Sequence, residues 1–284
     1  MLQEQTTPGV LQETEVQDLR ARLRGALLCP GDAAYEQALP VYNAMIEKHP
    51  AMIAHCVDVA DVMVAVNCAR EHRLPLAVRG SGHSGPGLGT CDDGLVIDLS
   101  GMKGIHVDPS ARTARVEGGC TWGEVDHATH AFGLATPSGF ISSTGVGGLT
   151  LGGGIGYLTR TLGLTIDNLL SVDVVLADGS FGAAHRVGVS DTAFSFRDAN
   201  FSEVIVGVDP DPANNERMIQ WARDYWMALH PYSEGGGYIN MMMDEGTDNV
   251  KAAYRANYAR LAKVKTLYDP SNLFHLNQNI IPAM

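Results

Sequence analysis

The sequence predicts an α+β fold with short strands, and three observations predict it. Strand-like apolar runs are brief, as in Leu74-Pro75-Leu76-Ala77-Val78 and Leu95-Val96-Ile97-Asp98-Leu99. Helical and strand signals follow one another without the regular βαβ alternation of a doubly wound sheet. Two glycine-dense stretches punctuate the pattern: Arg79-Gly80-Ser81-Gly82-His83-Ser84-Gly85-Pro86-Gly87, and the run from Thr144-Gly145-Val146-Gly147-Gly148 to Gly152-Gly153-Gly154-Ile155-Gly156.

Taken in order, residues 1–15 are polar and read as frayed, and 15–28 carries Val16, Leu19, Leu23, Ala26 and Leu27 at helical spacing. Cys29-Pro30-Gly31-Asp32 stops that helix. Asp58 is placed to N-cap a helix through Val59, Val62, Met63, Val66 and Ala69, ending near His72. Strands follow at 74–78 and 95–99. A hairpin is expected from Ile105-His106-Val107 and Ala114-Arg115-Val116 around an Asp108-Pro109-Ser110 turn. Thr121 caps a helix to about Ala131, with Gly133 beyond its end. Val172 to Ala177, with the Asp178-Gly179 turn, predicts a second hairpin. Further on, Val204-Ile205-Val206-Gly207-Val208 reads as strand. Asp211-Pro212 opens a helix bearing Met218, Trp221, Tyr225 and Trp226, which His230-Pro231 ends, and a last helix spans 248–268.

Glycine lacks a Cβ and takes positive φ freely, so such runs let backbone N–H groups close on a ligand. Successive amides in that geometry form concavities for anions, most often phosphate. Two of them flanking short strands point to a diphosphate held between two pieces of backbone. The nicotinamide template fits poorly, because no Gly-x-Gly-x-x-Gly opens a helix with an acid at the expected later position.

The ordered set is specific. Gly80-Ser81-Gly82-His83-Ser84, Gly147-Gly148, Gly152-Gly153-Gly154-Ile155-Gly156, Gly163-Leu164, Asp167-Asn168 and Ala177-Asp178-Gly179 resemble the FAD domain of the vanillyl-alcohol-oxidase superfamily in its berberine-bridge-enzyme-like branch. Tyr268-Asp269-Pro270-Ser271-Asn272-Leu273-Phe274 and Asn277-Gln278-Asn279-Ile280 resemble that branch's closing segment. The resemblance implies a PCMH-type FAD-binding domain of two small α/β subdomains, a shortened substrate domain, and a C-terminal return to the flavin domain. The corresponding boundaries are a helical lead-in over 1–46, the flavin domain over 47–186, the substrate remnant over 187–247 and the return over 248–284. Between the halves, more of the flavin domain and a large part of the substrate sheet go unrecognised. The chain jumps at about 184–189 to sequence that belongs far later in the family pattern, which reads as an internal deletion.

The resemblance also implies FAD contacts from Arg79, Gly80, Ser81, Gly82, His83, Ser84, Gly139, Ser142, Ser143, Thr144, Gly145, Gly147, Gly148, Gly153, Gly154, Gly156, Asp167, Asn168, Val174, Asn277 and Gln278. His83 matches the histidine that bonds covalently to the flavin's dimethylbenzene methyl. Ile141 stands where many relatives carry a second, cysteinyl tether, so a single histidyl link is expected. Thr144 falls at a position that gates dioxygen access in relatives. Met241 follows Asn240 where relatives place a basic tyrosine, and a thioether has no such basicity. Tyr238 is the candidate substitute, on the Asn240 face if the segment is a strand.

Apolar residues make up 45% of the 284-residue chain and charged residues 18%, the composition of a globular chain with a substantial core. Net charge −12 argues against a nucleic-acid partner, since phosphate backbones need a basic face. Cys29, Cys56, Cys68, Cys91 and Cys120 are odd in number and lack CxxC spacing, so neither a disulfide framework nor a zinc site is indicated. His127 and His130 lack a convincing third ligand. No basic-then-apolar leader and no bilayer-length run is visible, which makes a cytoplasmic protein without a membrane partner the default expectation.

These readings converge on an FAD-dependent oxidoreductase that takes hydride from an alcohol, hemiacetal or similar C–H substrate, with dioxygen as the candidate reoxidant. The alternative is a non-catalytic flavin-binding remnant. In either case, apolar surface left bare by the missing sheet predicts self-association.

Overall fold

The computed structural model describes residues 11–185, 192–199 and 204–283. The polar connector expected at 187–191 and the boundary at 186 lie outside them. Helix α1, Glu13–Arg22, starts inside the stretch read as frayed and ends earlier than its periodicity predicts. Ala26–Leu28 is instead the edge strand β1. The reason is tertiary. Asp61 is buried and accepts hydrogen bonds from the Arg24 and Gly25 amides at 2.8 and 3.0 Å, which turns the chain out of the helix. A one-turn helix α2, Tyr35–Ala38, follows.

The first subdomain is a four-stranded sheet ordered β1-β2-β4-β3. Strands β2 (Met52–His55), β3 (Leu76–Arg79) and β4 (Leu95–Asp98) run parallel, and β1 pairs antiparallel with β2. All four residues of β4 are buried, as expected for a central parallel strand covered on both faces. Helix α3, Val59–His72, makes the crossover. The Asp58 carboxylate accepts from the Asp61 amide at 3.1 Å, and Arg73 ends the helix in the left-handed region with φ 54°. Ala65, Val66, Cys68 and Ala69 pack the helix onto Met52, Ala54, Leu95 and Ile97.

The second subdomain is built from hairpins and short helices. β5 (Ile105–Asp108) and β6 (Thr113–Val116) pair antiparallel, as the sequence predicts. Helix α4, Trp122–His130, begins with a reciprocal cap between Thr121 and Glu124. Its Trp122 and Val125 meet Cys120 in a small core flanked by Ile105, Val146 and Leu149. Two short helices, α5 (Val146–Leu151) and α6 (Thr159–Leu162), lead to the hairpin of β7 (Ser171–Val175) and β8 (Phe181–His185).

After β8 no described residue lies in a strand. The expected strand at 204–208 is irregular, and Val204, Val206 and Val208 are exposed, since an apolar run without a neighbouring sheet edge has nothing to pair with. A 3-10 turn at Pro212–Asn214 precedes helix α7, Asn215–Leu229, which buries none of its residues. The last predicted helix is two: α8 (Thr247–Tyr254) and α9 (Asn257–Tyr268). They break at Arg255, whose φ of 46° is left-handed and whose guanidinium lies 3.8 Å from the Phe196 ring centroid.

Beyond α9, Asp269 explains its motif. Its carboxylate pairs with Lys265 and accepts the Leu273 and Phe274 amides at 2.7 and 3.0 Å. That turn sends Leu273 and Phe274 back onto the core of the first subdomain.

Candidate functional site

The first glycine loop leaves β3 at Arg79, and Gly82 takes φ +71°, a conformation that disfavours any other residue. A segment of the lead-in runs along this loop. The Tyr42 amide donates to the Gly82 carbonyl at 3.0 Å, and Asn43 Nδ2 donates to the Gly85 carbonyl at 2.6 Å. Sequence reasoning missed both residues. Contacts some 40 residues apart leave no periodic trace, and the polar amide of Asn43 after an aromatic was the one local hint.

The second loop is laid against the start of α4. Trp122 and Gly123 donate their amides to the Thr144 and Ser142 carbonyls at 3.0 and 2.9 Å, and Thr121 bridges Gly145. The two loops then meet. A Cβ on Gly145 would stand 2.6 Å from Ser81 Oγ, and His83 Nε2 lies 3.4 Å from Ser143 Oγ. The structure thus brings Ser81 beside Gly145 and His83 beside Ser143.

Whether the cradle suits FAD can be tested on its glycines. An added Cβ at Gly148 meets no protein atom within 4 Å, and one at Gly147 meets only the Gly118 carbonyl oxygen, at 3.7 Å. Each glycine inside α5 costs about 1 kcal/mol relative to alanine. No protein neighbour requires that cost, whereas a ligand lying against the backbone would. Backbone amides are the groups that would hold FAD there, and the residues present fit it.

Arg79 does not contribute charge to that cradle. Its buried guanidinium donates to Asp98 Oδ2 at 2.9 Å and to the Ala38 carbonyl at 2.8 Å. Burial opposes ionisation of Asp98, but the charge and hydrogen bond of Arg79, with the Ser100 amide, hold its carboxyl below the usual range.

His83 is half-buried, and this desolvation lowers its pKa below the ordinary imidazole value, with a hydrogen bond to its own backbone opposing in part. The ring is thus biased toward the neutral form that a nucleophile requires. One of its faces is covered by Tyr42, with ring centroids 3.8 Å apart and planes 19° from parallel.

The 152–156 end of the second glycine run has an unexpected occupant. The Tyr238 phenolic oxygen accepts the Gly154 and Ile155 amides at 3.0 and 3.1 Å and Asn240 Nδ2 at 2.8 Å. Asn240 also donates to the Leu149 carbonyl at 2.9 Å. The strand expected here is a 3-10 turn at Ile239–Met241, so the face-sharing of Tyr238 and Asn240 arises from a turn and not from alternation. Beside it, an apolar niche lined by Leu151, Phe194, Phe196 and Ile239 encloses about 10 Å³.

Other predicted contacts are committed within the protein. Asp167 pairs with Arg197 through both carboxylate oxygens, at 2.7 and 3.0 Å, and accepts the Leu164 amide. Asn168 donates to the Leu162 and Leu164 carbonyls. Gln278 donates to the Met242 and Met243 carbonyls, while Asn277 is exposed. Gly139 backs onto Leu149 and Gly156 onto the Ser138 carbonyl. Val174 is half-buried in β7, opposite Gly182.

All five cysteines are free, and burial pushes the Cys56 thiol up to about 12 and those of Cys68 and Cys91 up to about 11. Cys56, Cys68, Cys91 and Cys120 are buried and behave as small core hydrophobes, while Cys29 is half-buried beside Arg20. Among the described residues no cluster could hold a metal ion, and no helix is long and apolar enough to cross a membrane.

Comparison with known proteins agrees with this geometry. Residues 50–182 match the FAD binding domain family, and residues 237–281 match the berberine and berberine-like family. An uncharacterized FAD-linked oxidoreductase of Bacillus subtilis (strain 168) is 40% identical over 164 residues, 58% of this chain and 36% of that protein. The (R)-6-hydroxynicotine oxidase of Paenarthrobacter nicotinovorans is 34% identical over 157 residues, 55% of this chain and 34% of the relative. The structure of 6-hydroxy-D-nicotine oxidase from Arthrobacter nicotinovorans shares the fold with TM-score 0.80 at 20% identity, the match extending over 92% of this chain and 98% of that one. A xylooligosaccharide oxidase from Myceliophthora thermophila matches with TM-score 0.58 and 28% identity over 62% of this chain and 38% of its own.

Fold and loops together define a PCMH-type FAD-binding protein. Its two matched segments are those of the FAD binding domain and the berberine and berberine-like families, and its sequence is similar to FAD-linked oxidoreductases. It spans about a third of the length of the first curated relatives it matches.

Proposed function

We propose that the chain binds FAD between the loops at 79–85 and 142–148, links it covalently through His83 alone, and works as an FAD-dependent oxidoreductase. The observation that carries the reading is the meeting of the two loops at Ser81–Gly145 and His83–Ser143, beside glycines that no protein neighbour requires. The backbone amides would hold the diphosphate, and His83 would anchor the ring end. Bound there, FAD supplies the acceptor for a hydride from an alcohol, hemiacetal or similar carbon. Dioxygen is the proposed acceptor that regenerates it. Tyr238 is the proposed base, its phenolic oxygen held in place where the Gly154 and Ile155 amides and the Asn240 side-chain amide converge.

A second reading, a flavin-binding remnant without turnover, is favoured by two observations. No described residue after His185 lies in a strand, and the niche beside Tyr238 encloses only about 10 Å³. In that reading 187–247 is what a deletion left of the substrate domain, and Tyr238 only fastens the glycine segment. Both readings predict yellow protein after incubation with FAD. Anaerobic bleaching of the flavin by an alcohol or sugar panel supports the enzyme, and an unbleached flavin across the panel supports the remnant. Self-association through the exposed apolar side chains of α7, among them Ile219, Trp221 and Trp226, belongs to both, and sedimentation velocity tests it.

A further inference from the structure

Tyr42 is 64% exposed, so burial in the core gives no reason for an aromatic side chain there. What it does touch is His83, face to face at 3.8 Å. The stack is not a chance meeting of two mobile side chains, because the backbone on both sides is pinned. The Tyr42 amide donates to the carbonyl of Gly82, the residue before His83, and Asn43 donates to the carbonyl of Gly85, two residues after it. Ser143 Oγ meets the imidazole edge at Nε2, 3.4 Å away. One face and one edge of the imidazole are therefore fixed by groups from two different segments.

We propose that Tyr42 is the positioning residue for attachment of the flavin to His83, holding the imidazole in a single orientation against the first glycine loop. This rests on the reading of His83 as the tether. In the attachment, an imidazole nitrogen forms a bond to a ring-methyl carbon of the flavin. The attacking nitrogen uses its free lone pair; the methyl gives up one proton and the other imidazole nitrogen gives up the second. The electron pair of the broken C–H bond passes into the flavin ring, which takes up both protons. Dioxygen, as the two-electron acceptor, then removes two electrons and two protons as hydrogen peroxide, leaving the tethered flavin oxidised. Such a step depends on alignment of the nitrogen with the carbon, so a ring free to rotate about χ1 and χ2 loses rate even when binding persists. Covering one face also keeps water from the imidazole, in keeping with the neutral form that burial favours.

The test uses the whole chain prepared without flavin, with Tyr42→Leu and Tyr42→Phe. Both variants keep the backbone bond to Gly82, and an exposed position leaves no cavity to collapse; thermal unfolding of each variant checks this. FAD is added in air. Flavin bound by the folded protein and flavin retained in the acid-precipitated pellet are followed separately. In parallel, mass mapping measures the rate at which diethyl pyrocarbonate modifies His83 in the flavin-free protein.

The expected result is unchanged total uptake in both variants, attachment at least tenfold slower in Tyr42→Leu, and recovery to within about twofold of wild type in Tyr42→Phe. His83 should be modified several-fold faster in Tyr42→Leu. Equal attachment rates in wild type and Tyr42→Leu would overturn the role of Tyr42 while leaving the tether intact. Wild-type flavin that is wholly acid-extractable would overturn the tether itself, and the proposal with it.

Discussion

Arg79 and Asp98 form a buried ion pair at 2.9 Å, joining the C-terminal ends of β3 and β4 directly below the His83 loop. Removing one partner leaves a nearly buried charge, for Asp98 with only His55 Nδ1 at 3.4 Å and the Ser100 amide beside it, at a cost of about 3–5 kcal/mol. Arg79→Met should therefore lose roughly that much in urea unfolding. The pH dependence has a definite sign. Asp98 has a lowered folded pKa, so its contribution is complete above the unfolded carboxylate value of about 3.9 and disappears as pH falls through the folded value. Acid unfolding below about pH 4 should be steep in the native chain and shallower in Asp98→Asn. An unchanged slope in Asp98→Asn would show that other carboxylates govern acid stability.

Tyr238→Phe deletes the oxygen that Gly154, Ile155 and Asn240 share. Leaving those donors unpaired should cost about 1–3 kcal/mol and speed hydrogen exchange at the Gly154 and Ile155 amides. The same variant divides the two functional readings. If Tyr238 is the base, substrate-driven flavin reduction falls by at least a hundredfold while flavin content holds. If it is a strut, exchange rises and there is no reduction rate to lose.

The cradle predicts steric exclusion. Gly82→Val combines strain at φ +71° with a side chain beside Val41, and the Cβ of Gly147→Leu meets only the Gly118 carbonyl oxygen, at an ordinary contact distance of 3.7 Å. Both should lose flavin uptake by at least tenfold, and Gly147→Leu should do so without loss of folding stability, because leucine is the better helix former. Normal uptake in Gly147→Leu would show that the diphosphate lies elsewhere.

Much of this architecture was legible in the sequence where the determinants are local. Asp58 before an apolar helical run, the Thr121–Glu124 cap and the Asp178-Gly179 turn each specify their element within a few residues, and the structure has all three elements. Glycine density marked the two loops for the same reason. The failures lie where distant residues decide. Nothing near Gly25 announces that Asp61 will capture its amide and turn a helix into an edge strand. The break at Arg255 depends on Phe196 and Glu234, which the linear pattern cannot bring together. Val204 to Val208 has strand composition, but pairing needs a neighbouring edge. At the site, His83 and Ser143 could be named from their motifs, whereas Tyr42 and the commitment of Arg79 to Asp98 follow only from packing.

The central claim, a flavin cradled by backbone and tethered at His83, is tested most directly by acid precipitation after incubation with FAD in air. Wild-type protein should carry yellow flavin into the pellet, and His83→Ala should bind flavin in its folded state yet release all of it to the supernatant. Flavin retained in the His83→Ala pellet, or no flavin bound by either protein, would contradict the account.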